Sequence, residues 1–142
     1  MAINFFSEDR NPPAFLRKKT KKWISDTITS RGFLIGEINY IFCSDDLIIE
    51  INNQYLNHDY YTDIITFDYT DLKTVNADIY ISIDRIKENS KIFKEKYLHE
   101  FYRVLIHGIL HLTGQNDKTK QETKKMRDLE NYYLSKIFNN RV

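Results

Sequence analysis

The sequence predicts an α/β (α+β) fold, a small mixed β-sheet packed with helices in a single domain over residues 1–142. Short runs rich in Ile, Phe, Tyr and Thr, typical of strands, alternate with longer runs of helical apolar spacing. No internal repeat, low-complexity tract or linker divides the chain, and 142 residues is the size of one ordinary domain. The hydrophobic fraction of 42% and the charged fraction of 29% are those of a folded globular protein.

The first half of the chain is predicted to form two strands and two helices. Proline is tolerated in the first turn of a helix, because the N–H groups there have no helical partner. Ser44 precedes two aspartates, which is an N-terminal helix signal. We therefore expect a strand over Ile3–Phe6, a helix opened by Pro12-Pro13 and ending near Ser30 before Gly32, a strand over Glu37–Cys43 and a helix from Asp46 to about Tyr55.

The second half is predicted to add two strands and three helices. Runs of β-branched and aromatic residues on either side of a polar loop at 71–76 are typical of strands. The run Thr119–Glu122 has the pattern of a capping box. We expect strands over Thr62–Tyr69 and Asp78–Ile83, a helix over Arg85–Phe93 capped by Asp84, a helix from about Tyr97 to Thr113, and a last helix from Thr119 to about Phe138.

Two histidines on the predicted fourth helix have the spacing of metal ligands. His107 and His111 are four residues apart, so an α-helix places them on one face with Cβ atoms about 5–6 Å apart. Gly114 follows the apolar run and is typical of a left-handed helix stop, after which the chain can reverse and bring Asp117 towards the histidines. The pattern predicts a zincin-like metal helix with His107, His111 and Asp117 as ligands.

Each of these residues also has a structural alternative. A lone histidine on an apolar helix is usually a core residue, and Asp117 could cap the last helix, although Thr119 and Glu122 already fill that role. Two imidazoles and one carboxylate suit catalytic zinc, one ion per chain, and also suit iron(II), manganese or nickel. Gly108 stands where the zincin signature places its general base, which disfavours a peptidase and leaves phosphodiester cleavage open.

The motifs resemble those of the YbeY family, the zinc-dependent endoribonucleases of bacterial rRNA maturation. The segment 107–117 matches the family's H-G-x-L-H-L-x-G-Y-D-H with Asp117 in place of the last histidine. Glu122, Met126 and Glu130 match its E-x-x-x-M-x-x-x-E. Upstream, Ile51–Phe67 matches L-N-x-x-Y-R-x-x-D-x-P-T-D-V-L-S-F, and 77–79 matches G-D-I. The chain is thus identified as a variant member with aspartate as its third metal ligand.

The resemblance implies further site residues, and it shows that this chain lacks one arginine of the family motif. Thr62 and Asp63 match family positions beside the expected cleft, where their alternative role is hydrogen bonding at a strand start. Leu56 stands where the family has an arginine expected to face the RNA phosphate. Two cations could replace it: Arg103, one helical turn before His107, and His58. The alternative for Arg103 is a salt bridge to a neighbouring carboxylate.

The composition limits which cellular compartment and which partners are expected. No apolar run reaches the roughly 18 residues of a membrane span, the first residues do not resemble a signal peptide, and the single Cys43 suits a reducing compartment. We therefore expect a cytoplasmic protein with no membrane partner. The net charge of +1 leaves nucleic-acid binding to local basic clusters, one at 17–22 and one at 118–127 that would border the metal.

Together these observations predict a zinc-dependent, single-strand-specific endoribonuclease. As the resemblance implies, it would act in 16S rRNA 3′-end maturation and ribosome quality control, with rRNA and the small ribosomal subunit as partners and no inferred DNA specificity. One alternative is a non-catalytic ribosome-assembly factor with a structural metal, which Leu56 favours. Another is a metal-dependent hydrolase of a peptide or small molecule.

Overall fold

A computed structural model describes residues 2–56 and 62–138 of the chain. Within these ranges the chain forms four strands and five helices. None of these helices has the length and apolarity that crossing a membrane requires. In chain order the elements are β1 (Ala2–Ser7), α1 (Arg17–Ser30), β2 (Leu34–Cys43), α2 (Asp45–Leu56), β3 (Ile64–Asp68), β4 (Thr74–Ser82), α3 (Ile83–Ile92), α4 (Tyr97–Leu112) and α5 (Lys120–Phe138).

The four strands form one mixed sheet in the order β1-β2-β4-β3. β1, β2 and β4 are parallel, and β3 joins the edge of β4 antiparallel. The α/β (α+β) class and the mixed sheet predicted from the sequence are confirmed. β2 and β4 begin earlier than predicted, because Leu34 pairs with Thr74 at their first residues. That pairing lies between segments far apart in the chain, so local composition does not reveal it.

The sheet separates a large core from a small one. The large core contains alternate residues of β2, among them Ile38, Tyr40 and Phe42, packed with side chains from α1, α3, α4 and α5. The small core lies under α2 and includes Cys43, which is fully buried and packs as a small apolar side chain. Most of the apolar surface is therefore buried on the side of the sheet that carries α4.

α4 is the most deeply buried helix of the fold, as its apolar sequence predicts. The Tyr40 hydroxyl donates a 2.9 Å hydrogen bond to the Leu105 carbonyl and ties the helix to the sheet. The same helix buries two charged side chains, Glu100 and Arg103, which are only 7% and 10% exposed. Burial raises the pKa of Glu100 to about 7, against the opposing effect of the Arg103 charge.

Two helix starts differ from the prediction. α1 begins at Arg17 rather than at Pro12-Pro13, because Leu16 is extended and Phe15 packs edge-on against Phe5 of β1 at 5.0 Å. The two prolines lie in the connection between β1 and α1, which brings Phe15 back onto Phe5. Tertiary packing therefore overrides a favourable local start signal.

The N-cap of α3 is Ser82 and not Asp84. The Ser82 hydroxyl oxygen accepts a 3.1 Å hydrogen bond from the backbone N–H of Arg85. Asp84 instead accepts from the backbone N–H of Asp45 and from the Arg10 guanidinium, and so joins α3 to two distant segments. The predicted cap was wrong because these two donors come from segments that local sequence does not place beside Asp84.

Left-handed glycines end both α1 and α4. Gly32 has φ +87° and Gly114 has φ +103°. After α4 the Gly114 N–H donates to the His111 carbonyl, and the Gln115 N–H donates to the Leu110 carbonyl, which is a Schellman motif. The predicted reversal of the chain after Gly114 is confirmed, and it leads directly into the segment that carries Asp117.

We expect Gly114→Ala to lower the free energy of unfolding by about 1–2 kcal/mol, because a Cβ disfavours positive φ. Gly32→Ala should cost a similar amount, since neither position has an atom within 4 Å of an added Cβ. Urea unfolding of both variants measures this. Gly114→Asn is the control and should lose less, because asparagine tolerates the left-handed region. Equal stability of Gly114→Ala and the parent would contradict the assigned turn.

A second prediction concerns the pH dependence of stability. The native pKa of Glu100, about 7, exceeds its ordinary 4.5, so the native state binds the proton more tightly than the unfolded state. The contribution of Glu100 to the free energy of unfolding therefore falls as the pH rises from about 4.5 to 7. Glu100→Gln should gain stability relative to the parent between pH 5 and pH 8. The exposed Glu88→Gln is the control, and a Glu100→Gln difference that is flat with pH would refute the assignment.

Candidate functional site

A cleft of about 580 Å³ lies against the outer face of α4. Four elements surround it: the start of β3, the end of α3, one face of α4 and the first half of α5. All three predicted metal ligands line this one cleft. Its lining residues are Thr62, Asp63, Ile64, Thr66, Asn89, Phe93, Glu100, Arg103, Val104, His107, Gly108, His111, Asp117, Thr123, Met126, Arg127 and Glu130.

The imidazole of His107 is held from behind by a carboxylate. Its Nδ1 lies 2.7 Å from Oε2 of Glu130, a side chain that is only 6% exposed. An ionised carboxylate only accepts hydrogen bonds, so Nδ1 carries a proton, and in the neutral imidazole Nε2 then keeps its lone pair. Nε2 is the nitrogen on the side of Asp117, whose Oδ2 lies 3.9 Å away. Metal-binding histidines are commonly oriented in this way, by a carboxylate that accepts a hydrogen bond from the ring nitrogen that does not face the metal.

The same contacts shift the pKa values of the pair in opposite directions. Burial disfavours the charged form of His107, but the hydrogen bond and charge of Glu130, with the charges of Asp63 and Asp117, outweigh burial and raise the pKa of His107. Burial also opposes ionisation of Glu130, yet His107 and Arg103 lower the pKa of this carboxyl. The carboxylate is therefore kept ionised as an acceptor for both neighbours.

The three predicted ligands share the cleft, and His107 and Asp117 are the two that lie within ion-pair distance of each other. Ligands of one tetrahedral zinc lie about 3.3 Å from each other, so the 3.9 Å between His107 and Asp117 is slightly wide. His111 lies one turn along α4, is exposed and makes no ion pair with Asp117. Within residues 2–56 and 62–138, no three His, Cys, Asp or Glu side chains form a closed metal-ligand group. The donors share a cleft and fit a divalent cation by type, without the spacing of a closed coordination shell.

The charge of the cleft also suits a cation. Four carboxylates line it, from Asp63, Glu100, Asp117 and Glu130, against two guanidinium groups from α4 and α5. Burial raises the pKa of Asp63 despite the opposing effect of the nearby His107, which indicates that this carboxyl is poorly hydrated. Of the basic residues at 118–127 expected to border the metal, Arg127 is the one that lines the cleft.

Arg103 makes the salt bridge that was the alternative to its predicted contact with phosphate. Its Nη1 lies 3.0 Å from Glu130 Oε1, so the predicted alternative of a salt bridge is present. Its Nε lies 4.0 Å from Glu100 Oε1, beyond hydrogen-bonding distance. This Nε is buried and has no hydrogen-bond partner among the described residues. Arg103 therefore holds Glu130 in place, while its own Nε–H lacks an acceptor among the described residues.

The other predicted substrate residues are only partly described. Thr62 and Asp63 both line the cleft, and the Thr62 hydroxyl donates a 3.4 Å hydrogen bond to the Ile64 carbonyl at the start of β3. That bond is the structural role expected for a residue at a strand start. His58 and the side chain of Leu56 lie outside the described residues.

Glu130, Asn89 and Phe93 are among the cleft residues that were not predicted to act at the site. Glu130 was identified only by its family spacing, although its separation of four from Met126 places both on one face of α5. Asn89 and Phe93 come from the end of α3 and reach the cleft by helix packing. Their sequence offers no signal, since nothing local relates α3 to the histidines of α4.

Comparison with known proteins agrees with this architecture. The family model described as Endoribonuclease YbeY matches residues 3–138. Proteins named Endoribonuclease YbeY from Parabacteroides distasonis and Phocaeicola vulgatus are each 47% identical over 135 residues. These alignments cover 95% of this chain, and 95% and 98% of the relatives. A third such protein, from Azobacteroides pseudotrichonymphae, is 47% identical over 137 residues, 96% of this chain and 99% of its own.

A solved structure shares the fold. The solution structure of TM1509 from Thermotoga maritima superposes with a TM-score of 0.69 at 26% sequence identity. The match covers 97% of this chain and 90% of that one. A family model that spans nearly the whole chain, full-length relatives and a common fold agree with one another: the chain belongs to the endoribonuclease YbeY family.

Proposed function

We propose that this chain is a metal-dependent endoribonuclease that cleaves single-stranded RNA. Membership of the endoribonuclease YbeY family supports the reaction class. The observation that carries the metal dependence is the arrangement of His107, whose Nδ1 is held by Glu130 while Asp117 lies on the side of Nε2. We further propose zinc as the metal, rRNA and the small ribosomal subunit as partners, and cytoplasmic 16S rRNA 3′-end maturation and ribosome quality control as the role.

His107, His111 and Asp117 would hold the metal. Two imidazole nitrogens and a carboxylate oxygen form a donor set suited to zinc, and the surplus of carboxylates in the cleft favours a cation. A divalent metal bound there supplies Lewis-acid stabilisation of a phosphoryl oxygen and activation of the nucleophile. Glu130 keeps His107 in the required tautomer, and Arg103 keeps Glu130 ionised.

The Arg103 side chain would also contact the substrate. Arg103 lines the cleft and its guanidinium carries a permanent positive charge. A phosphate oxygen that enters the cleft would accept a charge-assisted hydrogen bond from this guanidinium. Such a contact would supply part of the charge that the family's motif arginine provides and that Leu56 lacks.

The packing of Gly108 argues against the peptidase alternative. A Cβ added at this position would lie 3.0 Å from Ile64 Cδ1 on β3, which is a tight contact. The close approach of α4 to β3 therefore leaves little room for the glutamate that serves zincin peptidases as general base. The non-catalytic assembly factor remains the second candidate, favoured by Leu56 and tested by the same experiment.

Purified protein should cleave a single-stranded RNA oligomer, lose this activity with a chelator and regain it with added zinc, while elemental analysis finds one zinc per chain. Asp117→Ala should lose both the metal and the cleavage, because it removes one of three ligands. The matched control is Asp128→Ala, which removes an exposed carboxylate paired with Lys124. Metal binding without cleavage would favour the assembly factor, and cleavage that persists in chelator would contradict the metal requirement.

Glu130→Gln should weaken zinc binding about 10–100-fold, which is typical when the carboxylate behind a metal-binding histidine is lost. Glutamine has a similar shape but loses the charge that orients and polarises the imidazole of His107. A competition assay with a zinc-binding dye measures the affinity directly. Asp128→Asn on the same helix is the control, and an unchanged affinity for Glu130→Gln would show that the Glu130–His107 bond serves folding alone.

A further inference from the structure

The end of α3 places an exposed aromatic ring at the cleft. Phe93 lines the same cleft as His107, and 57% of its surface is exposed. Among the described residues its ring makes no ring–ring or cation–ring contact. Within residues 2–56 and 62–138 the other large exposed aromatics do not line this cleft: Phe6, Tyr55, Tyr69 and Tyr132. An apolar ring left exposed beside a cleft of charged groups has no role in the core packing described above.

The backbone that carries Phe93 is held in a closed turn. The Phe93 N–H donates a 2.9 Å hydrogen bond to the Asn89 carbonyl, and the Glu95 N–H donates one of 2.9 Å to the Ser90 carbonyl. Between them Lys94 adopts a left-handed φ of +55°, uncommon for a residue with a side chain. Because these bonds end the helix, the ring is presented from a fixed backbone, and a ligand that stacks on it need not order this turn.

Asn89 lies one turn before Phe93 and lines the same cleft. Its side-chain amide is half-buried and makes no hydrogen bond within the described residues. An amide offers both a donor and an acceptor, which is the pattern that the edge of a nucleobase can satisfy. Both residues are uncharged, whereas the part of the cleft around His107 carries four carboxylates and two guanidinium groups.

We propose that Phe93 and Asn89 form a binding subsite for one unpaired nucleobase of the RNA substrate. The base would stack on the ring of Phe93 and hydrogen-bond through its edge to the Asn89 amide, while the phosphate lies towards Arg103 and the metal ligands. A base paired in a duplex has its face covered by its neighbours and its edge occupied, so it cannot enter. The subsite thus accounts for selection of single strands, and it rests on the proposed function of the same cleft.

The first test measures RNA binding. A fluorescein-labelled single-stranded RNA is titrated with zinc-loaded parent, Phe93→Ala, Phe93→Trp and Ile92→Ala, and its anisotropy is followed. Ile92 is the matched control, since it is the neighbouring residue, is 60% exposed and does not line the cleft. Phe93→Ala should bind about tenfold more weakly, because stacking of one base is typically of this size. Phe93→Trp should retain binding and Ile92→Ala should match the parent.

A series of RNAs with one abasic ribose at successive positions identifies the stacked base. For the parent, an abasic ribose at one particular position should lower the affinity about tenfold. Phe93→Ala has already lost the stacking contact, so the same abasic RNA should bind to it no more weakly than the intact RNA does. Asn89→Ala should bind more weakly to the intact RNA and equally to that abasic RNA. If Phe93→Ala binds every RNA as the parent does, the subsite is overturned and the exposed ring is left for a protein partner.

These outcomes separate the two proposals. If the parent binds RNA with the expected abasic profile but does not cleave it, the endoribonuclease proposal fails and the base subsite stands. If the parent cleaves RNA and Phe93→Ala cleaves it with the same KM, the subsite fails and the proposed function stands. A parent that binds no single-stranded RNA overturns both.

Discussion

The hydrogen bond between Glu130 and His107 is the contact on which the site depends. One buried carboxylate accepts from the imidazole at 2.7 Å through one oxygen and from Arg103 at 3.0 Å through the other. It therefore joins α5 to α4, satisfies a buried cation and determines which nitrogen of His107 carries the proton. Removing the carboxylate would leave Arg103 buried without its partner, so the fold and the chemistry of the cleft depend on the same side chain.

The rest of the fold serves to place α4 and its two ends. Tyr40 ties the helix to the sheet, and the close approach of the helix to β3 leaves little space for a side chain at position 108. The Schellman motif at Gly114 then turns the chain so that Asp117 returns beside His107. These features explain how a short motif places three side chains in one cleft. The helix carries the two histidines, and the turn that ends the helix leads to Asp117.

The distribution of charge divides the cleft into two regions. The inner part contains four carboxyl groups and is suited to a cation, although burial raises the pKa of Glu100 to about 7 and so reduces its charge near neutral pH. The outer part, at the end of α3, is uncharged and presents Phe93 and Asn89. An RNA strand carries negative charge on its backbone and neutral surface on its bases. With the proposed cation bound, the two regions would suit the two parts of a nucleotide.

The sequence by itself determined the features that depend on nearby residues: the α/β class, most helix and strand positions, the left-handed stop at Gly114 and the common face of His107 and His111. Each follows from spacing or from local backbone preference. Tertiary structure alone decided the late start of α1, the cap of α3, the partnership of Glu130 with His107 across 23 residues, and the place of Phe93 at the cleft. These features depend on which elements pack together, and packing is set by the summed burial of the whole core rather than by any local pattern.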